Sequence, residues 1–128
     1  MLENNHVMPS FAVDDIDEAE QFYGQTLGLK AERDKEMGHI NLHLAGGLTV
    51  MVYPKPDYQP ATFTILNFMV KDLDQMVDDL ATKGVPFEHY DTPDFKTNAK
   101  GIAEGAPGPR IAWFTDPAGN IFSLIEDK

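Results

Sequence analysis

Five positions of this chain recur at one fixed separation. Phe11, Val13, Asp15, Ile16 and Asp17 are each followed, 57 residues later, by Phe68, Val70, Asp72, Leu73 and Asp74. A self-match at a constant offset marks a duplicated structural unit, so each half should hold one complete supersecondary motif. The chain has 128 residues, enough for a single domain assembled from two such modules and too few for two ordinary domains.

Each copy reads in the same order. In the first, a strand-like run over 7–13 leads into a helical period that places Ile16, Ala19, Phe22, Tyr23 and Leu27 on one stripe before Gly28. Asp15 with Glu18 has the spacing of a capping box. The second copy has a run over 63–70, then Leu73, Met76, Val77 and Leu80 at helical spacing, entered through Asp72 with Gln75 and stopped at Gly84. Strands are predicted at 30–36, 39–44 and 48–53 after the first helix, the last two joined by Ala45-Gly46-Gly47. After the second they fall at 87–90, 110–115 and 121–125, with a turn at Asp116-Pro117-Ala118-Gly119-Asn120. The fold class is therefore α+β, two tandem βαβββ modules over about 1–54 and 61–128. Pro54, Pro56 and Pro60 make 54–60 a stiff connector. The stretch 91–110, rich in Gly, Pro, Lys and Asn, is either a lid over a site or a surface insertion.

Charge narrows the partners. Ten Lys and Arg stand against 21 Asp and Glu, a net charge of −11, which argues against nucleic-acid binding by phosphate neutralisation. There is no cysteine, so disulfide and thiolate chemistry are absent. No apolar run approaches the roughly 20 residues of a membrane helix, and residues 1–15 lack the pattern of a signal peptide. A cytoplasmic protein with no membrane partner is expected.

The duplicated βαβββ unit, with Val13-Asp14-Asp15-Ile16 opening its first helix, Phe22-Tyr23 and Leu27-Gly28-Leu29 within and after it, and Trp113-Phe114-Thr115-Asp116-Pro117-Ala118-Gly119-Asn120 near the end, resembles the vicinal oxygen chelate superfamily of glyoxalases, extradiol dioxygenases, and fosfomycin and bleomycin resistance proteins. The resemblance implies an open barrel-like sheet around a central cavity, helices outside, and subunits paired as a homodimer. It also implies four metal-ligand positions, on the first and last strand of each module, usually His or Glu. Counting from Val13 and Val70, they fall here on Met8, Met51, Ile65 and Ser123. Thioether, alkyl and hydroxyl groups do not make a cage for Mn, Fe, Ni or Zn, so no metal ligand and no cofactor are expected.

Strand alternation assigns faces. Ile40, Leu42 and Leu44, with Leu48, Val50 and Val52, belong against the helix, which turns His39, Asn41, His43, Thr49, Met51 and Tyr53 toward the cavity. In the second module Asn67, Met69, Ile111, Trp113, Ile121, Ser123 and Ile125 face in. Met8 and Ser10 complete the candidate ligand-binding set from the first strand. Trp113 either stacks on a ligand, a cation included, or fills a core or interface gap. His39 and His43, about 13 Å apart at 3.3 Å per residue, cannot share one ion. His43, next to Tyr53 or Asn67, is the candidate general base; the alternative is a histidine merely hydrogen-bonded on the sheet. His6 and His89 read as surface residues. Arg110, with Lys96 and Lys100 in the preceding loop, either clamps an anionic ligand group or is solvated.

Three functions follow. The first is metal-independent binding of a small organic molecule, aromatic or cationic, of the glyoxalase and bleomycin resistance type. The second is a lyase, isomerase or dioxygenase-type enzyme of the same superfamily, using a divalent metal on atypical ligands or His43 as acid or base. The third is a dimeric interaction module, disfavoured because it would bury the polar groups without purpose.

Overall fold

The computed structural model describes residues 1–105 and 107–127, and the chain divides into two compact units, Met1–Pro60 and Ala61–Lys128. The first holds β1 (Ser10–Val13), α1 (Ile16–Gln21), β2 (Lys30–Arg33), β3 (Ile40–His43) and β4 (Thr49–Pro54). Its sheet runs β1-β4-β3-β2, with β1 parallel to β4 and the rest antiparallel. The second holds β5 (Thr64–Val70), α2 (Leu73–Thr82), a small hairpin of β6 (Asp91–Thr92) and β7 (Phe95–Lys96), then β8 (Ile102–Ala103), β9 (Ile111–Thr115) and β10 (Ile121–Glu126). Its main sheet runs β5-β10-β9-β8, again with the first strand parallel to the last. The duplication is thus visible in topology. Among the described residues no helix is long and apolar enough to cross a membrane.

Both helices start where the sequence places them, but neither closes a capping box. Asp15 accepts from the Glu18 amide and Asp72 from the Gln75 amide, satisfying one free N–H at each helix start. The Asp15 amide, however, donates to Asp14, and the Gln75 side chain turns along the helix to Asp79. The α-helical part of the first helix is short: from Phe22 the chain unwinds into a wider π-helical turn to Thr26. That turn still buries Phe22 and Tyr23, whose rings pack edge to face at 5.2 Å.

Alternation sets the cores. Phe11, Val13, Ile40, Leu42, Val50 and Val52 are buried in the first unit, and Val70, Ile102, Ala112, Phe114, Phe122 and Leu124 in the second. Leu48 is a correction: it lies in the turn before β4 and is 42% exposed. The predicted strand at 87–90 is another. Phe87 makes only an isolated bridge to Phe114, and the Glu88 amide donates to the Trp113 carbonyl; the place beside β9 is shared between this fragment and β8. Between the two fragments the chain leaves the sheet to form the 91–96 hairpin, so much of the stretch 91–110 is built rather than irregular.

Candidate functional site

The residues opposite each helix form ordered rows. In the first unit Ser10, Met51, Asn41 and Glu32 stand in register across β1, β4, β3 and β2, and Thr49, His43 and Lys30 form the next row. Ser10, Glu32, Lys30 and Tyr53 are exposed, while Met51, Asn41, His43 and Thr49 are half-buried. At the Thr49 end a cleft of about 220 Å³ opens, lined by His6, Val7, Met8, Gly47, Leu48 and Thr49.

His43 does not meet Tyr53, which lies four residues beyond its cross-strand partner Thr49, about 13 Å along β4. Its Nδ1 is 3.4 Å from Thr49 Oγ1, and its Nε2 is 3.5 Å from Glu32 Oε1. This is a hydroxyl, imidazole and carboxylate in sequence, with long contacts. His39 is buried at the start of the strand, its carbonyl taking the Asp34 amide.

In the second unit Asn67, Ser123 and Trp113 share one row, and Met69, Ile125, Ile111 and Ala103 the next. Ser123 is 1% exposed, and its hydroxyl donates to Asn67 Oδ1 at 2.5 Å. Trp113 is half-buried among two rings that the sequence reading did not select. Tyr90 stands perpendicular to it at 5.7 Å, and Phe95, from the hairpin, lies at 5.0 Å; Tyr90 and Phe95 also meet edge to face at 5.3 Å. Burial, with the nearby Glu88 carboxylate, raises the Tyr90 hydroxyl above the ordinary phenol range. Two aromatic residues inside an otherwise polar stretch were the available signal.

Arg110 is not an open anion clamp. Its guanidinium pairs with both oxygens of Asp74 at 2.9 and 3.1 Å, with Glu104 at 3.2 Å and with Glu126 at 3.1 Å. The bidentate Asp74 contact is the main reason its pKa is raised, and it holds the Asp74 carboxyl below the usual range. Lys100 pairs with Asp78 at 2.9 Å and Asp74 at 3.6 Å, and Lys96 reaches only Asp91 at 3.8 Å. Lys100 and Arg110 are thereby tied to α2, and the Arg110 guanidinium is enclosed by three carboxylates. His89 is also structural, with Nδ1 3.1 Å from the Phe87 carbonyl and Nε2 3.1 Å from that of Ala99.

The family metal positions do not fit an ion. Met8 and Met51 offer thioethers, Ile65 has no donor and lies at a register shift between β5 and β10, and the Ser123 hydroxyl is committed to Asn67. Among the described residues no three His, Cys, Asp or Glu side chains converge on a common point for a metal.

Comparison with known proteins bears on the fold. The chain matches TnmS3, an antibiotic binding protein from Streptomyces sp. CB03234, at 24% identity over 100% of both chains with a TM-score of 0.72. It matches a fosfomycin resistance protein, FosX, from Listeria monocytogenes at 14% identity over 98% of this chain and 94% of the other, TM-score 0.71. A superfamily member from Sphaerobacter thermophilus DSM 20745 matches at 24% identity over 96% and 98%, TM-score 0.68. No curated protein matches. The model of one family covers residues 4–124, so the chain belongs to the Glyoxalase/Bleomycin resistance protein/Dioxygenase superfamily.

Proposed function

We propose that the protein binds a small organic molecule, aromatic or cationic in character, without the help of a metal ion. The observation that carries this reading is the chemistry of the four family positions: Met8, Met51, Ile65 and Ser123 supply neither imidazole nor carboxylate. What the open sheet faces do present is apolar and aromatic surface with a few hydrogen-bonding groups, the usual lining of an organic-ligand site. Trp113 with Tyr90 and Phe95 provides aromatic faces and edges, and the net charge of −11 favours a cation. One structural neighbour is described as an antibiotic binding protein and another as a fosfomycin resistance protein, so antibiotics belong in the ligand screen. Pairing as a homodimer and a cytoplasmic location are part of the same proposal, the first tested by light scattering.

The test has two arms. Protein grown with Mn, Fe, Ni, Co and Zn is analysed by plasma mass spectrometry, and ligands are screened through the fluorescence of Trp113, the single tryptophan. Substoichiometric metal, saturable binding and an unchanged ligand support the proposal; one firmly held ion per chain overturns it.

A second reading, an enzyme using His43 as acid or base, is favoured by the Thr49, His43 and Glu32 contacts. If a reaction is found, His43→Ala should abolish it while the melting curve stays unchanged. Equal turnover by the variant removes His43 from the chemistry.

A further inference from the structure

We infer that the corner between Trp113 and Tyr90 is a subsite for one aromatic ring of the bound molecule, and that Phe95 is its resident occupant, displaced with the 91–96 hairpin when the ligand enters. The inference rests on the small-molecule reading above and adds the place on the molecule and the kind of group that fits it.

The Trp113 and Tyr90 rings stand at 90° with their centroids 5.7 Å apart, and so form the two walls of a corner. Phe95 fills it, edge to face with both walls, at 5.0 Å from Trp113 and 5.3 Å from Tyr90. Perpendicular π faces and edges of this kind suit any flat ring of the same size. Trp113 stands on the face turned away from α2, since its neighbours Ala112 and Phe114 are the buried ones, and Phe95 itself is 36% exposed. Withdrawing Phe95 therefore opens the corner to solvent.

Little else holds Phe95 there. Among the described residues, the hydrogen bonds and ion pairs of 91–96 all stay within the hairpin: β6 pairs with β7, the Thr92 hydroxyl donates to the Phe95 carbonyl at 3.1 Å, and Lys96 reaches Asp91 at 3.8 Å. The stem, by contrast, is pinned. The Thr97 amide donates to the Tyr90 carbonyl at 2.9 Å and the Tyr90 amide to Thr97 Oγ1 at 2.8 Å, while Lys100 just beyond pairs with Asp78 at 2.9 Å. A hairpin of two residues per strand has almost no stability of its own. Its tip rests on the ring contact of Phe95 and its base is fixed, which is the construction of a hinged flap with a low opening cost. Docked, Phe95 competes with the ligand for the corner. The measured affinity is then lower than the corner's own by the fraction of molecules in which the corner is vacant.

The experiment uses the full chain, isotope-labelled so that Trp113, the single tryptophan, gives one indole N–H resonance. Two probes of equal charge and similar size are titrated: phenethylammonium, which carries an aromatic ring, and cyclohexylethylammonium, which does not. Phe95→Ala should bind the phenyl probe about fivefold more tightly than the wild type, because the competitor is gone, and should bind the cyclohexyl probe more weakly than the phenyl one. Tyr90→Leu, which removes a wall, should bind the phenyl probe roughly threefold more weakly than the wild type. The chain has no cysteine, so a nitroxide attached to Asp94→Cys at the exposed tip marks the hairpin alone. It should broaden the indole resonance of the free protein, and saturating phenyl probe should relieve the broadening. Equal or weaker binding by Phe95→Ala overturns the inference and makes Phe95 a wall of the site or plain packing. So does broadening that persists at saturation, or equal affinity of Phe95→Ala for the two probes. Failure of Phe95→Ala to bind the phenyl probe overturns it as well; a different saturating ligand in the Trp113 screen would then leave the small-molecule reading standing.

Discussion

Asp116 shows how much a single carboxylate can organise. Its Oδ1 takes the amides of Ala118 and Asn120 at 3.0 and 2.8 Å, its Oδ2 takes the Asn120 side chain at 3.0 Å, and its own amide returns to the Asn120 carbonyl. Pro117 fits the first corner of the turn, and Gly119 sits at a φ of 93°, where a side chain would be strained. The turn sets the antiparallel register in which Ser123 faces Trp113, so a buried polar knot positions the site without touching it. Asp116→Ala should cost about 3 kcal/mol in urea denaturation, because Asn120, 0% exposed, loses this partner for buried donors. Asp116→Asn, which keeps an acceptor oxygen, should cost less than half of that. Equal losses would mean that the negative charge, not the hydrogen-bond geometry, holds the turn. The turn was legible in sequence because its residues are five consecutive positions with Pro117, Gly119 and Asn120 among them; the hydrogen bonds of the Asp116 carboxylate within it were not. Nor were the roles of Arg110 and His43, since each is decided by side chains on other strands or helices: Asp74 and Glu126 for the one, Glu32 and Thr49 for the other.

At the scale of elements, the same device appears in both units. Asp17 and Asp74 are equivalent in the repeat, and each sits in the first turn of its helix facing an arginine brought by a distant segment: Arg33 at 3.0 Å from Asp17, Arg110 at 2.9 Å from Asp74. In the second unit Lys100 joins, so α2 becomes the anchor for both Lys100 and Arg110. The Asp74 carboxyl titrates lower in the folded protein than in the unfolded chain, so its stabilisation is complete above the ordinary carboxylate range near pH 4 and fades as the pH falls through the folded value. Asp74→Asn should therefore lower stability by about 1 kcal/mol at pH 7, a figure discounted because the pair is half-exposed, and should flatten the loss of stability between about pH 4 and 2. An unchanged acid profile would show that the contacts of Glu126 and Glu104 suffice to hold Arg110. The 91–96 hairpin is a second element whose effect can be read directly. Phe95 covers one side of Trp113, and Phe95→Ala should red-shift tryptophan emission and at least double its quenching by acrylamide, at a cost of about 1 kcal/mol in stability. Emission identical to the wild type would mean that Tyr90 alone shields the indole. Hydrophobic period disclosed the two helices and the strands on which they pack, yet not this hairpin. Two residues per strand carry no measurable period, and the hairpin is held by its rings rather than by propensity.

At the scale of the whole molecule, duplication and charge are linked. Repeating one acidic helix start has produced two, and the ten basic residues are spread among 21 acidic ones, several of them spent on the pairs just described. The remaining carboxylates repel one another across a 14.3 kDa body and attract any cation that approaches. Both effects are long-range, whereas the Arg33 and Arg110 pairs act at contact. Raising NaCl from 20 to 200 mM shortens the screening length from about 20 Å to about 7 Å, which removes the long-range terms and leaves the contact pairs mostly intact. The two consequences have opposite signs. The ligand-free melting temperature should rise by about 2–4 °C as self-repulsion is screened, while the affinity for a cationic ligand found in the Trp113 screen should fall severalfold because the attraction is screened as well. An anionic ligand, repelled rather than attracted, should show no such loss. A melting temperature that falls with salt would mean that the contact pairs outweigh the net repulsion, and the acidic surplus would then have to be explained by the ligand rather than by tolerance. An affinity for that cation independent of salt would place the recognition entirely in local contacts, whose packing and hydrogen bonds no counterion can screen.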